Sequence, residues 1–157
     1  MGAAWVRGLQ ADGTGAVPKH LGCNDSETER DGVNVRVTER ALLEVYLLPF
    51  ELCAAEGAAA MLTAYNRVEG QWCSEQSHVT SIVKTEWGFG GALISDWFGT
   101  HSTVGTLNGG LDLEMPGPGR FLGDKALGAV ERGEIPAERL ADAASRIARM
   151  ARTYGGE

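Results

Sequence analysis

The sequence lacks the features that mark nucleic-acid-binding, membrane-spanning and disulfide-bonded proteins. Its 14 basic residues are scattered among 21 acidic ones, and the net charge of −7 argues against nucleic acid or an anionic membrane surface as a partner. No apolar run approaches the ~18 residues that a membrane span needs. What remains is a chain of 157 residues, 43% apolar and 22% charged, which is the composition of one globular domain.

The cysteines and the amino-terminal residues show no pattern of a zinc site, a disulfide framework or a signal peptide. Cys23, Cys53 and Cys73 lack the CxxC spacing of zinc sites, and an odd number does not support a disulfide framework. We therefore expect free thiols, with a Cys23–Cys73 bridge as the open alternative. No charged leader followed by an apolar segment is visible, so no signal peptide is predicted. A cytoplasmic and a secreted location both stay open.

Short apolar runs alternate with amphipathic stretches along the chain. The predicted strands are residues 15–20, 58–64, 92–95 and 111–115. The predicted helices are residues 38–55, 77–87, 102–107, 122–132 and 136–154, after an initial helix near 3–10. Four strand–helix units in succession predict an α/β fold with a parallel sheet and right-handed crossovers. They could form a small open sheet or half of an eight-stranded barrel, which usually needs roughly 250 residues.

Individual residues predict where the helices begin and end. Thr38 and Ser77 are expected N-caps, Pro49 is expected to break or kink the helix over 38–55, and Gly88 to end the helix over 77–87. Residues 66–76 are predicted to form a loop. The predicted apolar stripe of the last helix is Leu140, Ala144, Ile147 and Ala151.

Polar residues follow the predicted strands at their carboxyl ends, the edge at which parallel α/β proteins place their chemistry. The candidates are Lys19-His20, Tyr65 and Asp96-Trp97. A carboxylate beside a large flat aromatic ring suits a sugar, because Asp96 could meet the reacting carbon while Trp97 covers the apolar face of the ring. Glu114, after the last strand, is either a second catalytic carboxylate or a buried structural acid. Taken singly, each candidate also fits an ordinary structural role.

Longer segments around these positions resemble glycoside hydrolase family 3. The segments are Lys19-His20, Asn24, Glu27-Thr28-Glu29-Arg30, Val35, Val37, Glu39-Arg40, Glu44-Val45-Tyr46-Leu47, Pro49-Phe50-Glu51, Ala64-Tyr65-Asn66-Arg67-Val68-Glu69-Gly70, Glu86-Trp87-Gly88-Phe89, Ser95-Asp96-Trp97, His101-Ser102-Thr103 and Gly109-Gly110-Leu111-Asp112-Leu113-Glu114-Met115-Pro116-Gly117. They follow the order of the family and cover nearly the entire chain. The resemblance implies that residues 1–157 form four consecutive βα units, the second half of the (β/α)8 barrel of this family, without its first half and C-terminal domain.

The resemblance also implies an activity. Similar family members are retaining exo-β-glycosidases of the β-glucosidase type, which remove terminal β-D-glycosyl residues by double displacement. The resemblance implies that Asp96 is the nucleophile. The substrate-binding residues that it implies are Lys19, His20, Arg30, Tyr65 and Trp97. Positive side chains beside a nucleophilic carboxylate are physically coherent, because they favour its charged form. The implied partner is a small carbohydrate or β-glycoside, and no metal or cofactor is implied.

Three departures from the family pattern bear on activity. Leu21 and Leu62 replace a usual Phe and Met. In the β-glucosidase-like members, the acid that protonates the leaving oxygen comes from a domain beyond the barrel. In another branch of the family, a His-Asp pair in the loop after Lys19-His20 supplies it. Residues 21–31 contain no His, so this chain lacks the second source. We therefore expect this chain alone to be inactive, and its exposed barrel edges to favour self-association. A non-catalytic carbohydrate-binding remnant and a truncated product without a function are the alternatives.

Overall fold

The computed structural model describes residues 1–155, in which helices and strands alternate. The helices are α1 (Gly2–Ala11), α2 (Glu39–Ala41), α3 (Leu48–Ala55), α4 (Ser77–Ser81), α5 (Val104–Asn108), α6 (Asp124–Glu131) and α7 (Ala137–Tyr154). The strands are β1 (Asn34–Val35), β2 (Ala60–Thr63), β3 (Arg67–Val68), β4 (Gln71–Trp72), β5 (Ala92–Trp97) and β6 (Leu113–Met115). The π-helical turns Leu42–Leu47 and Ile82–Glu86 follow α2 and α4, and a 3₁₀ turn covers Cys73–Glu75.

The central sheet has the strand order β2-β5-β6 and is parallel throughout. Residues 16–21, which overlap the strand predicted over 15–20, run beside β2 in the same direction without forming a regular strand. Leu62 N donates to Pro18 O at 3.1 Å and Leu21 N donates to Leu62 O at 2.7 Å. The predicted α/β fold with a parallel sheet is confirmed, and the assignment of this sheet to half of an eight-stranded barrel stays a prediction.

A second, small sheet corrects the loop that is predicted over residues 66–76. In this sheet β1 pairs in parallel with β3, and β3 pairs antiparallel with β4. Glu69 and Gly70 make the turn between β3 and β4, both with positive φ, and Asn34 Oδ1 accepts from Gly70 N at 2.7 Å. The period-two alternation over residues 33–37 predicts a brief extended segment, which β1 confirms, whereas β3 and β4 are too short to show such a pattern.

The predicted helix ends are confirmed in part. The Thr38 hydroxyl accepts from Ala41 N at 3.3 Å, and Gly88, with φ of +64°, follows the second helical stretch. The N-cap predicted at Ser77 is wrong, because Ser77 is the first helical residue and its side chain makes no capping bond. The chain stays helical through Pro49, which lies in the first turn of α3, where its missing N–H is not needed.

Helix α7 lies across the amino ends of the parallel strands. Arg146 Nη1 donates to Phe89 O at 2.7 Å and to Gly91 O at 2.8 Å, just before β5. Arg139 Nη2 donates to Leu111 O at 2.8 Å, just before β6. These bonds use carbonyl groups that a parallel sheet leaves free at this edge, so α7 closes the end of the sheet opposite to the predicted site.

The buried face of α7 differs from the predicted stripe. The helix buries Ala143 and half-buries Leu140, and both pack with residues of α5 and α6. Ile147 and Met150 are also half-buried and pack with residues of β2, β5 and β6. Ala144 and Ala151 are exposed, so their placement on the apolar face is wrong. Alanines at adjacent positions carry no signal that distinguishes the two sides of a helix.

A buried ion cluster joins α7 to the sheet. Asp112 accepts from Lys84 Nζ at 2.6 Å, from Arg139 Nη2 at 2.5 Å and from Leu93 N at 2.8 Å. Burial lowers the pKa of Lys84 to about 8, although the charge of Asp112 acts in the opposite direction. The cluster lies at the amino end of the sheet, so it fixes the fold rather than the candidate site.

The cysteines and the helices add two simple findings. Cys23, Cys53 and Cys73 are buried free thiols, and no Cys23–Cys73 bridge is present. Within residues 1–155, none of the helices has the length and the hydropathy that crossing a bilayer requires.

Candidate functional site

Asp96 lies at the carboxyl end of β5, where the sequence places it. Side chains alternate along a strand, so Asp96 shares a face of the sheet with Ala92 and Ile94. Only 7% of its surface is exposed. The chain then turns sharply, because Gly99 N donates to Asp96 O at 3.0 Å. A short apolar strand thus delivers a nearly buried carboxylate to the end of the sheet.

Three hydrogen-bond donors converge on the Asp96 carboxylate. Trp97 N donates to Oδ1 at 2.7 Å, and His20 Nε2 lies 2.9 Å from Oδ2. The Tyr65 hydroxyl faces the same carboxylate, which contributes to the raised pKa of Tyr65. The three donors come from neighbouring segments of the chain: His20 from residues 16–21, Tyr65 from the loop after β2, and Trp97 from the end of β5. They hold the carboxylate in one orientation, which a nucleophile requires.

The protonation states of the two side-chain donors follow from their surroundings. Burial, together with the bond to Asp96, raises the pKa of Tyr65 to about 12, so its hydroxyl stays protonated and donates. Burial and the charge of Lys19 lower the pKa of His20, against the opposing charge of Asp96. The imidazole is therefore neutral at pH 7 and donates one N–H to the carboxylate.

The other predicted site residues lie around this core. Arg30 places its guanidinium carbon 5.1 Å from the centroid of the Tyr65 ring and pairs with Glu27 at 3.4 Å. Lys19 is exposed, and in the part of the chain that the structure describes no ion pair joins it to a carboxylate. The structure brings His20 and Tyr65 into contact with Asp96, places Arg30 against Tyr65, and leaves Lys19 beside His20.

Trp97 forms one wall of an open cleft next to Asp96. Its side chain is 58% exposed and meets Phe98 edge to face, with ring centroids 6.5 Å apart at 79°. The cleft has a volume of about 340 Å³. Its lining residues are Arg30, Asp31, Tyr65, Trp97, Phe98 and His101. Phe98 and His101 are not among the binding residues predicted from the sequence, although two adjacent aromatic residues after Asp96 are a usable signal.

Glu114 is held as a structural acid. It is 6% exposed and accepts from Thr100 Oγ1 at 2.7 Å, Phe121 N at 3.0 Å and Leu122 N at 2.8 Å. Burial alone would raise its pKa, but these hydrogen bonds outweigh it and hold the pKa below the usual value. The carboxylate fastens the loop after β6, which favours the structural alternative over a second catalytic carboxylate.

A second, larger cleft lies away from Asp96. It has a volume of about 720 Å³ between α1, residues 16–19 and α3. Apolar side chains line it, among them Trp5, Leu9, Val17 and Leu52, all of which are exposed. Polar groups converge on the smaller cleft, which makes it the better candidate for a site of chemistry. Among the described residues, no group of three His, Cys, Asp or Glu side chains could hold a metal ion.

Known proteins share both the sequence and the fold. A beta-glucosidase from Rhizobium radiobacter is 44% identical over 146 residues, which are 92% of this chain and 18% of that protein. A probable beta-glucosidase K from Aspergillus fumigatus is 50% identical over 123 residues, 77% of this chain and 16% of that protein. The chain thus spans about a fifth of the length of these relatives.

Two solved structures match almost the whole chain. A beta-glucosidase from Chaetomella raphigera superposes with a TM-score of 0.92 at 32% identity, over 98% of this chain and 22% of that one. A beta-glucosidase from Kluyveromyces marxianus in complex with glucose gives a TM-score of 0.91 at 35% identity, over 98% of this chain and 19% of that one. The family profile described as "Glycosyl hydrolase family 3 N terminal domain" matches residues 1–150. The chain therefore belongs to glycosyl hydrolase family 3.

Proposed function

We propose that this chain carries the nucleophile of a retaining exo-β-glycosidase of the β-glucosidase type, and that the nucleophile is Asp96. The observation that supports this proposal most directly is the buried carboxylate at the end of β5. It lies beside an aromatic cleft and is oriented by His20, Tyr65 and the Trp97 amide. The names of the relatives and the glucose complex of one of them support a terminal β-glucosyl residue as substrate.

In the proposed first step, an Asp96 carboxylate oxygen attacks the anomeric carbon of the sugar. The bond between that carbon and the leaving oxygen breaks, its electron pair stays on the leaving oxygen, and a glycosyl ester forms on Asp96. Water then hydrolyses the ester. Lys19 and Arg30 would donate hydrogen bonds to sugar hydroxyls, while His20, whose single N–H faces Asp96, would accept one at its other ring nitrogen. Such bonds accelerate the step when they strengthen in the transition state.

A second carboxylic acid must protonate the leaving oxygen of an ordinary glycoside. In retaining enzymes it lies about 5–5.5 Å from the nucleophile. Glu114 does not fit this role, because its oxygens already accept from Thr100, Phe121 and Leu122. We infer that the acid comes from outside the described residues, so the chain alone should not turn over natural β-glycosides.

We further propose that residues 1–157 are half of a (β/α)8 barrel. The parallel sheet is open at residues 16–21 and at β6, and the large cleft beside α1 exposes the apolar side chains of Trp5 and Leu52. A closed barrel would pair both edges and cover this surface. In the isolated chain the same surface should drive self-association.

A mechanism-based reagent tests the proposed function without needing the acid. A 2-deoxy-2-fluoro-β-glucoside with a dinitrophenolate leaving group requires no protonation, and its fluorine slows hydrolysis of the ester. Intact mass spectrometry should show one added fluoroglucosyl group on the wild type and none on Asp96→Asn. The matched control is Asp124→Asn, at an exposed aspartate of α6, which should be labelled like the wild type.

The alternative, a non-catalytic carbohydrate-binding remnant, is favoured by the engagement of Glu114 in structural bonds. It predicts a different outcome of the same experiment. Under this alternative, methyl β-glucoside would bind in an NMR titration, while the reagent would leave the mass of the wild-type chain unchanged.

A further inference from the structure

A β-bulge interrupts the pairing of β5 with β6 at the site carboxylate. The pairs on either side of it are Ile94 with Leu113 and Trp97 with Met115. Three residue steps along β5 therefore match two along β6, and Asp96 lies inside the irregular stretch. An extra residue bends the strand that contains it, and bulges beside active sites re-aim a side chain. The direction in which the Asp96 side chain leaves β5 therefore depends on what fixes this bulge.

Ser95 joins the two strands within the bulge. Its hydroxyl oxygen accepts from Met115 N at 2.8 Å and lies 3.5 Å from Met115 O. The side chain thus supplies a hydrogen bond to β6 at the point where the extra residue disturbs the ladder. Phe98 N donates to the same Met115 O at 2.8 Å. The backbone of Met115 therefore holds β5 on both sides of Asp96.

The other neighbour of β5 ends before the carboxylate is reached. The paired register of β2 with β5 finishes at Thr63, which lies opposite Ser95. From Asp96 onward the register continues with β6, through the pair of Trp97 and Met115. Ser95 is thus the last residue of β5 that contacts both neighbouring strands. Its bond to Met115 sets the position from which Asp96 extends.

Ser95 is placed to act through Asp96 and not on a ligand. None of its surface is exposed, so a bound sugar cannot contact it. The bond of 2.7 Å from Trp97 N to the Asp96 carboxylate joins adjacent residues, so it depends on the backbone conformation that the bulge imposes. A misplacement of about 1 Å at a reacting group can slow a reaction about 10²-fold. Loss of the bond that fixes the bulge is expected to cause a displacement of this kind.

We propose that Ser95 is a positioning residue which, through its hydrogen bond to Met115, aims the Asp96 carboxylate at the anomeric carbon. The inference rests on the proposed function, because it concerns the step in which Asp96 attacks the sugar. Lys19 and Arg30, the proposed donors to the sugar, lie on other segments of the chain. Removal of the Ser95 hydroxyl should therefore slow the attack and leave binding of the sugar unchanged.

The test measures how fast the 2-deoxy-2-fluoro-β-glucoside labels the full chain at increasing concentrations of the reagent. Intact mass spectrometry then separates the dissociation constant of the reagent from the rate constant of ester formation. In Ser95→Ala we expect this rate constant to fall about ten- to a hundredfold, while the dissociation constant changes less than about twofold. Ser95→Thr retains the hydroxyl on a β-branched side chain that suits a strand, and should label within about threefold of wild type.

The amide proton of Trp97 gives a second readout that does not need the reaction. Because Trp97 N donates to a carboxylate at 2.7 Å, its NMR signal should lie downfield in wild type and move upfield in Ser95→Ala. The matched control is Thr103→Val, which removes a hydroxyl that donates to Phe121 O at 2.7 Å. This control should change neither the rate constant of labelling nor the Trp97 signal.

Several results overturn the inference while labelling of wild type leaves the proposed function standing. They are labelling of Ser95→Ala at the wild-type rate, an unmoved Trp97 signal, a Ser95→Thr chain as slow as Ser95→Ala, and an equal slowing in Thr103→Val. A Ser95→Ala chain that does not fold also overturns it, because Ser95 would then be a residue of stability alone. Absence of the label from Asp96 in wild type overturns the proposed function and this inference with it.

Discussion

Replacing Glu114 by glutamine separates a structural acid from a catalytic one. The side chain keeps its shape and one of its two oxygens, and loses its charge. In the structure the two oxygens accept from Thr100 Oγ1, Phe121 N and Leu122 N. In the variant the amide nitrogen can take the position of Oε1 and donate to the Thr100 hydroxyl, while the remaining oxygen keeps both backbone bonds at the position of Oε2. What is lost is the charge that strengthens these bonds.

The magnitude follows from these bonds. A hydrogen bond to a charged group contributes about 1.5–3 kcal/mol, and one between neutral groups about 0.5–1.5 kcal/mol. Because glutamine can keep both backbone bonds but not the charge, we expect Glu114→Gln to lower the free energy of unfolding by about 1–3 kcal/mol at pH 7. Urea unfolding followed by tryptophan fluorescence measures the change.

The pH dependence gives an independent check. The pKa of Glu114 lies below its usual value of 4.5 in the folded chain. Its contribution to stability is therefore fully present above the pKa of the unfolded chain and is lost as the pH falls through the folded value. Glutamine does not titrate, so the stability gap between wild type and Glu114→Gln should narrow below pH 4.5.

Two outcomes would refute this reasoning. One is a Glu114→Gln variant as stable as wild type at pH 7. The other is hydrolysis of methyl β-glucoside, whose leaving group needs an acid, by the wild-type chain and its loss in a stable Glu114→Gln variant, which would give Glu114 a role in the chemistry. The matched control is Glu138→Gln at an exposed position of α7, where we expect a change below about 0.5 kcal/mol.

Three further predictions concern the ion cluster, the imidazole and the apolar surface. Asp112→Asn should lower the free energy of unfolding by about 2–4 kcal/mol in urea, since Lys84 and Arg139 would keep only the half-exposed Asp142 as a counter-ion; equal stability would contradict it. The pKa of His20 is lowered from 6.5, so its contribution to stability is present above pH 6.5 and lost as the pH falls through the lowered pKa. The affinity of wild type for methyl β-thioglucoside, measured by NMR titration, should therefore fall below pH 6.5, because the bound sugar buries the imidazolium further. The affinity of His20→Gln should not change with pH in this range. If it falls in the same way, His20 is not the cause. Trp5 is 66% exposed beside the large cleft, so the mean mass in light scattering should rise with concentration and fall in Trp5→Glu; a constant monomer mass would argue against self-association.

The sequence predicts the position of the site better than its internal contacts. An apolar run that ends in Asp96 identifies the end of β5, and His20 and Tyr65 follow predicted extended segments, so their convergence follows from a parallel sheet. The hydrogen bonds that orient the carboxylate depend on distances between chain segments about thirty to seventy-five residues apart. No local pattern encodes those distances.

Other features lie beyond any local reading for different physical reasons. Glu114 is structural because the chain returns seven and eight residues later to present two backbone N–H groups to it. The burial of Ala143 and the exposure of Ala144 depend on which way α7 crosses the sheet. The positive φ of Phe98 is imposed by Met115 and Arg120, and side-chain type alone would predict the opposite.

The most direct test of the central claim is to locate the bond in the labelled chain and determine its configuration. After reaction with the fluoroglucoside, the digested chain should carry its added mass on the peptide that contains Asp96. NMR of that peptide should show an α-linked ester, because the carboxylate attacks the face opposite to the leaving group. An adduct on another residue, or a β-linked ester on Asp96, would contradict the account.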